Sequence, residues 1–132
     1  MAAITKGAHH VGLTVPDLAG ARGFFVEVLG FEQVAERPDY PAVFVSDGHT
    51  LITLWRARDP EQAVAFDRHH VIGLHHLALR VDPGDLDRLH QRLIDAGVQI
   101  EFAPELLGGG PTRHLMCRMP GGIRLEFIGK SI

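Results

Sequence analysis

Cysteine is nearly absent from this sequence: Cys117 is the only one in 132 residues, so no disulfide can form within the chain and a thiolate metal cluster is excluded. Any bound metal must be held by nitrogen and oxygen. An excess of one charge sign is also lacking. Thirteen Lys and Arg stand against 16 Asp and Glu, a formal net charge of −3, and the cations are scattered rather than gathered into the basic stripe of a nucleic-acid binder. No segment approaches the roughly 20 uninterrupted apolar residues that cross a bilayer, and the opening MAAITKGAHH has no apolar run of the export type. The expectation is a cytoplasmic protein that works neither on a membrane nor on nucleic acid. What the chain does have is 45% apolar residues, enough for the core of one domain spanning 1–132, and nine histidines, four of which form two His-His pairs in matching contexts.

Those pairs mark an internal repeat. AHHVGLTVPDLAGARGFFVEVLGFEQV, from Ala8, runs parallel to LHHLALRVDPGDLDRLHQRLIDAGVQI, from Leu74. Both pass through a His-His pair, alternating apolar residues, an Asp/Pro turn, an amphipathic stretch, a glycine and a strand-like tail, and such a repeat constrains architecture more firmly than local propensity. Val11, Leu13 and Val15, like Leu77, Leu79 and Val81, recur at every second position, as in a half-buried strand. Leu18, Ala21, Phe25 and Val28, and then Leu86, Leu89, Leu93 and Ala96, recur at helical spacing. Asp17 and Asp85 are predicted helix caps, and Gly30 and Gly97 predicted helix stops. Three β-rich pieces follow each helix, near 31–36, 42–46 and 50–56, then 98–103, 112–118 and 122–128. The predicted fold is therefore α+β: two βαβββ modules, 8–57 and 74–128, joined by a polar linker at 58–73 in which His69 and His70 are solvated. The mostly antiparallel sheet should be cupped, with the helices on its outer face.

A helix covers only one face of its sheet, so strand phase separates the two faces. With Val11, Leu13 and Val15 toward the helix, His10, Gly12 and Thr14 turn away; His76, Ala78 and Arg80 do the same in the second copy. In IRLEFIG, Ile123, Leu125 and Phe127 face the helix, leaving Arg124, Glu126 and Ile128 on the opposite side. Two histidines and a carboxylate thus share a predicted inner face, a donor set that leaves coordination positions open for a substrate.

HHVGLTVPDL, the parallel HHLALRVDPGDL and the closing PGGIRLEF together resemble the vicinal oxygen chelate superfamily, which includes glyoxalases, bleomycin-resistance proteins and extradiol dioxygenases, over Ala8 to Ile128. The resemblance implies a metal at His10, His76 and Glu126, with Fe, Mn, Zn or Ni as the divalent ion, a small substrate chelated through adjacent oxygens, and a homodimer. It also implies departures. The family's fourth carboxylate aligns with Thr53, whose hydroxyl cannot serve as a general base, and the dioxygenase tyrosine and Asp-Pro pair align with Met116 and with Met119-Pro120. A metal-independent sequestering protein of the bleomycin-resistance kind, or a thiol transferase of the fosfomycin-resistance kind, are the alternatives.

Further candidates follow from the same phase argument. His114 shares the phase of Met116, so the resemblance implies that it faces into the cup, where an imidazole can shuttle a proton. Arg80, Arg118 and Arg124 share that parity, and an arginine fork suits a carboxylate or phosphate; His114 and Arg124 are accordingly the predicted catalytic residues. Trp55 and Phe44 are candidates to line an apolar pocket. His9 and His75 are expected on the helix side as packed or capping residues. Gly108-Gly109-Gly110-Pro111, with no GK[ST] after it, is expected to be a mobile loop rather than a phosphate cradle.

Overall fold

The computed structural model describes residues 1–130. The chain divides into two compact units, Met1–Ala63 and Val64–Ile132, with the division falling inside the predicted linker. In the first unit, β1 (His10–Val15) leads to α1 (Leu18–Gly23) and a π-helical turn at Phe24–Val28, then to β2 (Glu32–Arg37), β3 (Ala42–Ser46) and β4 (Leu51–Arg56). The second runs through β5 (Leu77–Val81), a 3-10 turn at Pro83–Asp85, α2 (Leu86–Asp95), β6 (Gln99–Leu106), β7 (Arg113–Arg118) and β8 (Arg124–Gly129). Each is the predicted βαβββ module. The sheets have the same order, β1-β4-β3-β2 and β5-β8-β7-β6, and in each the first and last strands pair in parallel while the other neighbours are antiparallel. The helix crossover is what makes that parallel pairing possible.

The strand phases hold. Leu13 and Val15 are buried while Gly12 and Thr14 are exposed, and Leu79 is buried between exposed Ala78 and Arg80. The two strands in the middle of the sheets are covered on both faces: Ile52 and Leu54 are fully buried and Thr53 nearly so, and Leu125 and Phe127 flank a buried Glu126. Against the first sheet lie Ala21 and Phe25, both 0% exposed; against the second lie Leu86 and Leu93, also 0% exposed. Phe25, Leu86 and Leu93 each contribute about 1.5–3 kcal/mol by leaving water.

Helix ends follow local chemistry, with two differences from expectation. Asp17 caps α1, its Oδ1 accepting the Gly20 amide at 3.0 Å, and Gly30 and Gly97 follow the helical segments at φ of +82° and +73°, where a Cβ would be strained. Asp85 does not cap α2. It already has turn geometry (φ −98°, ψ −10°) within Pro83–Asp85, and its carboxylate accepts Arg88 Nη2 at 3.0 Å instead; a capping side chain needs an extended backbone. The predicted single helix at Leu18–Val28 changes to a π turn at Phe24, where the Leu29 amide donates to the Phe24 carbonyl at 3.1 Å. The wider turn lets the adjacent Phe24 and Phe25 both be buried, at 4% and 0% exposure.

The triglycine segment is a hairpin connection between β6 and β7, closed by the Leu107 amide on the Thr112 carbonyl at 2.8 Å, with Gly108 and Gly109 at φ of +59° and +85°. His69 and His70 are exposed, as predicted, in a turn organised by Asp67, whose carboxylate accepts the His69 amide at 2.9 Å. Among the described residues no helix is long and apolar enough to cross a membrane.

Candidate functional site

The second unit gathers most of the predicted site. Parallel pairing of β5 with β8 sets Ala78 beside Glu126, so His76, two residues ahead of Ala78, sits against the same strand. Its Nε2 lies 3.0 Å from Glu126 Oε1. Antiparallel pairing of β7 with β8 sets Met116 beside Glu126 and His114 beside Ile128. From there His114 Nδ1 meets Glu126 Oε2 at 2.5 Å, so one carboxylate on a doubly covered strand is held by an imidazole on each oxygen. Glu126 is 7% exposed, and a carboxylate so desolvated is stable only when its oxygens are engaged. The far side of the His114 ring, Nε2, stands 3.7 Å from Oε1 of the exposed Glu105, and Phe102 packs on the ring with centroids 4.8 Å apart.

Arg124 is also buried, at 6% exposure, and is committed to Glu101: its Nε and Nη2 donate to the two carboxylate oxygens at 2.9 and 3.1 Å. Arg68 Nη1 adds a third bond to Glu101 at 2.6 Å. The Arg124 bonds foremost, then Arg68, hold the Glu101 carboxyl down at a pKa of about 2 despite partial burial, so it is ionised throughout the neutral range. Arg118 stands at the edge of this group, its Nε 3.6 Å from Glu101 Oε2.

In the first unit His10 is exposed at the start of β1, with its Nδ1 2.9 Å from His9 Nδ1. His75 and His76 repeat that contact at 2.8 Å. The expectation that His9 and His75 are packed is corrected, since both are exposed; His75, expected on the helix side, has its Nδ1 3.3 Å from Arg124 Nη1 on the opposite side. Both residues precede the first hydrogen-bonded position of their strands, so strand parity does not govern them. Thr53 is buried, its hydroxyl accepting the Trp55 indole N–H at 2.8 Å, and Tyr40 and Phe44 pack on the Trp55 ring. Gly12 makes room there, since a Cβ on it would lie 3.1 Å from Thr53 Oγ1.

Among the described residues no group of three or more His, Cys, Asp or Glu side chains is arranged to hold a metal ion. The His76–Glu126 pair nevertheless suits one. Bonds of about 2.0–2.2 Å to neighbouring positions of a divalent ion put the two donor atoms roughly 3 Å apart, and the observed spacing is 3.0 Å. His75 against His76 Nδ1 and His114 against Glu126 Oε2 supply the outer hydrogen bonds that orient such ligands.

Glu101 and Arg68 were not among the predicted site residues. The β6–β7 register shifts between Ile100 and Phe102, which hides the phase of Glu101, and Arg68 lies in the linker, where no periodicity operates.

The family model of the glyoxalase/bleomycin resistance protein/dioxygenase superfamily matches residues 7–127. The chain belongs to this superfamily. Among curated superfamily relatives, the mitochondrial methylmalonyl-CoA epimerase of Homo sapiens is 35% identical over 129 residues, covering 90% of this chain and 71% of that protein. A 2-epi-5-epi-valiolone epimerase from an Actinomyces species is 30% identical over 143 residues, covering 91% and 77%. Among solved structures, a glyoxylase/bleomycin resistance protein/dioxygenase domain from Frankia sp. EAN1pec is 29% identical with a TM-score of 0.80, covering 94% of this chain and 97% of that one.

Proposed function

We propose that this superfamily member is a divalent-metal-dependent enzyme acting on a small substrate that chelates the ion through adjacent oxygens. The observation that carries the reading is the clamped carboxylate: Glu126 presents one oxygen to His76 Nε2 and has the other tied to His114. His76 and Glu126 are two of the ligands, and His10 is the third, supplied by a first module of the same chain or of a second copy in a homodimer. The ion, when bound, would act as a Lewis acid toward negative charge on the substrate oxygens. His75 orients the His76 ring, and the His114 bond to Glu126 Oε2 keeps Oε1 turned toward His76. With Glu105 beyond it at 3.7 Å, His114 also links the buried carboxylate to the surface.

Two relatives that cover nine-tenths of the chain are epimerases, which favours proton exchange beside a carbonyl as the first reaction to assay. Thr53 limits that chemistry to one side. Its hydroxyl has no basicity at neutral pH and is occupied by the Trp55 indole, so the first module brings no second base at that position.

Metal analysis after reconstitution with manganese, iron, zinc or nickel should find one ion per site, lost in His10→Ala, His76→Ala and Glu126→Gln. His114→Phe should weaken metal affinity about 10–100-fold. Deuterium incorporation from D2O into 2-oxo and 2-acyl compounds, followed by NMR, should require the metal. If the reconstituted protein holds no ion, and His10→Ala and Glu126→Gln leave exchange unchanged, the reading is wrong; stoichiometric ligand binding in a chelator without turnover would make the protein a sequestering module instead.

A further inference from the structure

We propose that Arg118, with Arg124 and Arg68, forms a receptor in the second unit for the carboxylate or phosphate of a small organic anion. The site is a cavity of about 530 Å³ lined by Val64–Val71 together with Arg118 and Arg124, a size that suits a metabolite. Three guanidiniums, those of Arg68, Arg118 and Arg124, share the single carboxylate of Glu101, and with Asp67 also on the cavity wall one positive charge is left in excess. Both carboxylates are already engaged. Glu101 already accepts Arg68 once and Arg124 twice, and an Asp67 oxygen is engaged by the His69 amide of its own turn.

Arg118 carries the argument. Its Nε is buried without a hydrogen-bond partner, and Glu101 Oε2, at 3.6 Å, is beyond hydrogen-bond reach. Nε itself is closed off from solvent, but the Arg118 side chain is 39% exposed, so its outer guanidinium N–H groups are what an oxyanion entering the cavity meets. Glu101 meanwhile fixes Arg124, so the receptor is built before its ligand arrives. Val64, Ala65, Phe66 and Val71 give the cavity apolar walls beside the guanidiniums, which favours an acid with an apolar body over a bare inorganic ion.

Assigning this anion to the substrate rests on the enzymatic reading above; the receptor itself does not need the metal. The test therefore uses the full chain stripped of metal by a chelator, at low ionic strength, titrated separately with benzoate and with inorganic phosphate. Calorimetry reports affinity, and the Arg118 guanidinium resonance reports the contact. Benzoate is expected to bind one per chain and to shift that resonance, with affinity at least tenfold weaker in Arg118→Gln, partly restored in Arg118→Lys, and about threefold weaker in Arg68→Gln, whose place in an exposed turn spares folding. Tighter binding of phosphate than benzoate would keep the receptor and make its ligand a phosphate. No binding of either probe, or binding that Arg118→Gln and Arg68→Gln both leave unchanged, overturns the proposal, as does binding that appears only when metal is restored. Should the protein hold no metal yet bind benzoate through Arg118, the enzymatic reading falls and the receptor stands.

Discussion

The two modules share one topology and differ in what lies on the face turned from the helix. At matching positions of the last strands, the first module has Leu51 and Thr53 where the second has Arg124 and Glu126; at matching positions of the neighbouring strands, Phe44 and Ser46 correspond to Met116 and Arg118. The first module fills that face with Trp55, Phe44 and Tyr40 around a neutral hydroxyl. The second fills it with buried ions held by partners. The two modules thus have like helix-side cores, while their other faces are apolar in one and ionic in the other.

Experiments can press on each side of this contrast. The largest effect should come where the modules are alike: Ile52→Ala and Leu125→Ala, at corresponding fully buried positions, are expected to cost about 3–4 kcal/mol each in urea unfolding. Clearly unequal costs would mean that the cores are not equivalent. Next, Glu101→Gln should destabilise by about 2–3 kcal/mol, because it strands guanidiniums in the second module that have no counterpart in the first; a change under about 0.5 kcal/mol would show that the ionic face contributes nothing net.

Acid should separate the modules more gently. The Glu101 carboxyl is depressed from its ordinary 4.5 to about 2, so its contribution is fully present above pH 4.5 and is lost as pH falls toward 2. Probes in β6–β8 are expected to lose protection across that window, and Glu101→Gln should flatten the dependence. Smallest of all, Cys117 on β7 should stay inert to thiol reagents at pH 8 in the folded protein, since burial pushes its thiol up to about 12; rapid labelling without unfolding would mean that the second sheet opens.

Much of this architecture was legible because the repeat supplied every element twice, and a pattern such as Val11-Leu13-Val15 that returns as Leu77-Leu79-Val81 is hard to misread. Face assignment worked wherever a residue lay inside a regular strand, as for His114, Arg124 and Glu126. It failed at His75, which precedes its strand, and was blind to Glu101, which sits at a register shift, and to Arg68, which lies in a turn. Asp85 misled for a related reason: residue type suggested a cap, but the backbone ahead of α2 had already begun to coil. Period-based reasoning reaches side chains whose backbone is periodic, and the ionic network of the second module joins such residues to Glu101 and Arg68, whose backbone is not.

The parallel pairing of β1 with β4, and of β5 with β8, has a consequence for ancestry. Because the opening strand of each module lies beside its closing strand, every hydrogen-bonded ladder draws both partners from one uninterrupted stretch of chain. A break near Ala63 severs no ladder. Genetic joints at that point, whether doubling, shuffling or trading halves between copies, leave each sheet whole, and selection is then free to give one half new chemistry while the other stays put.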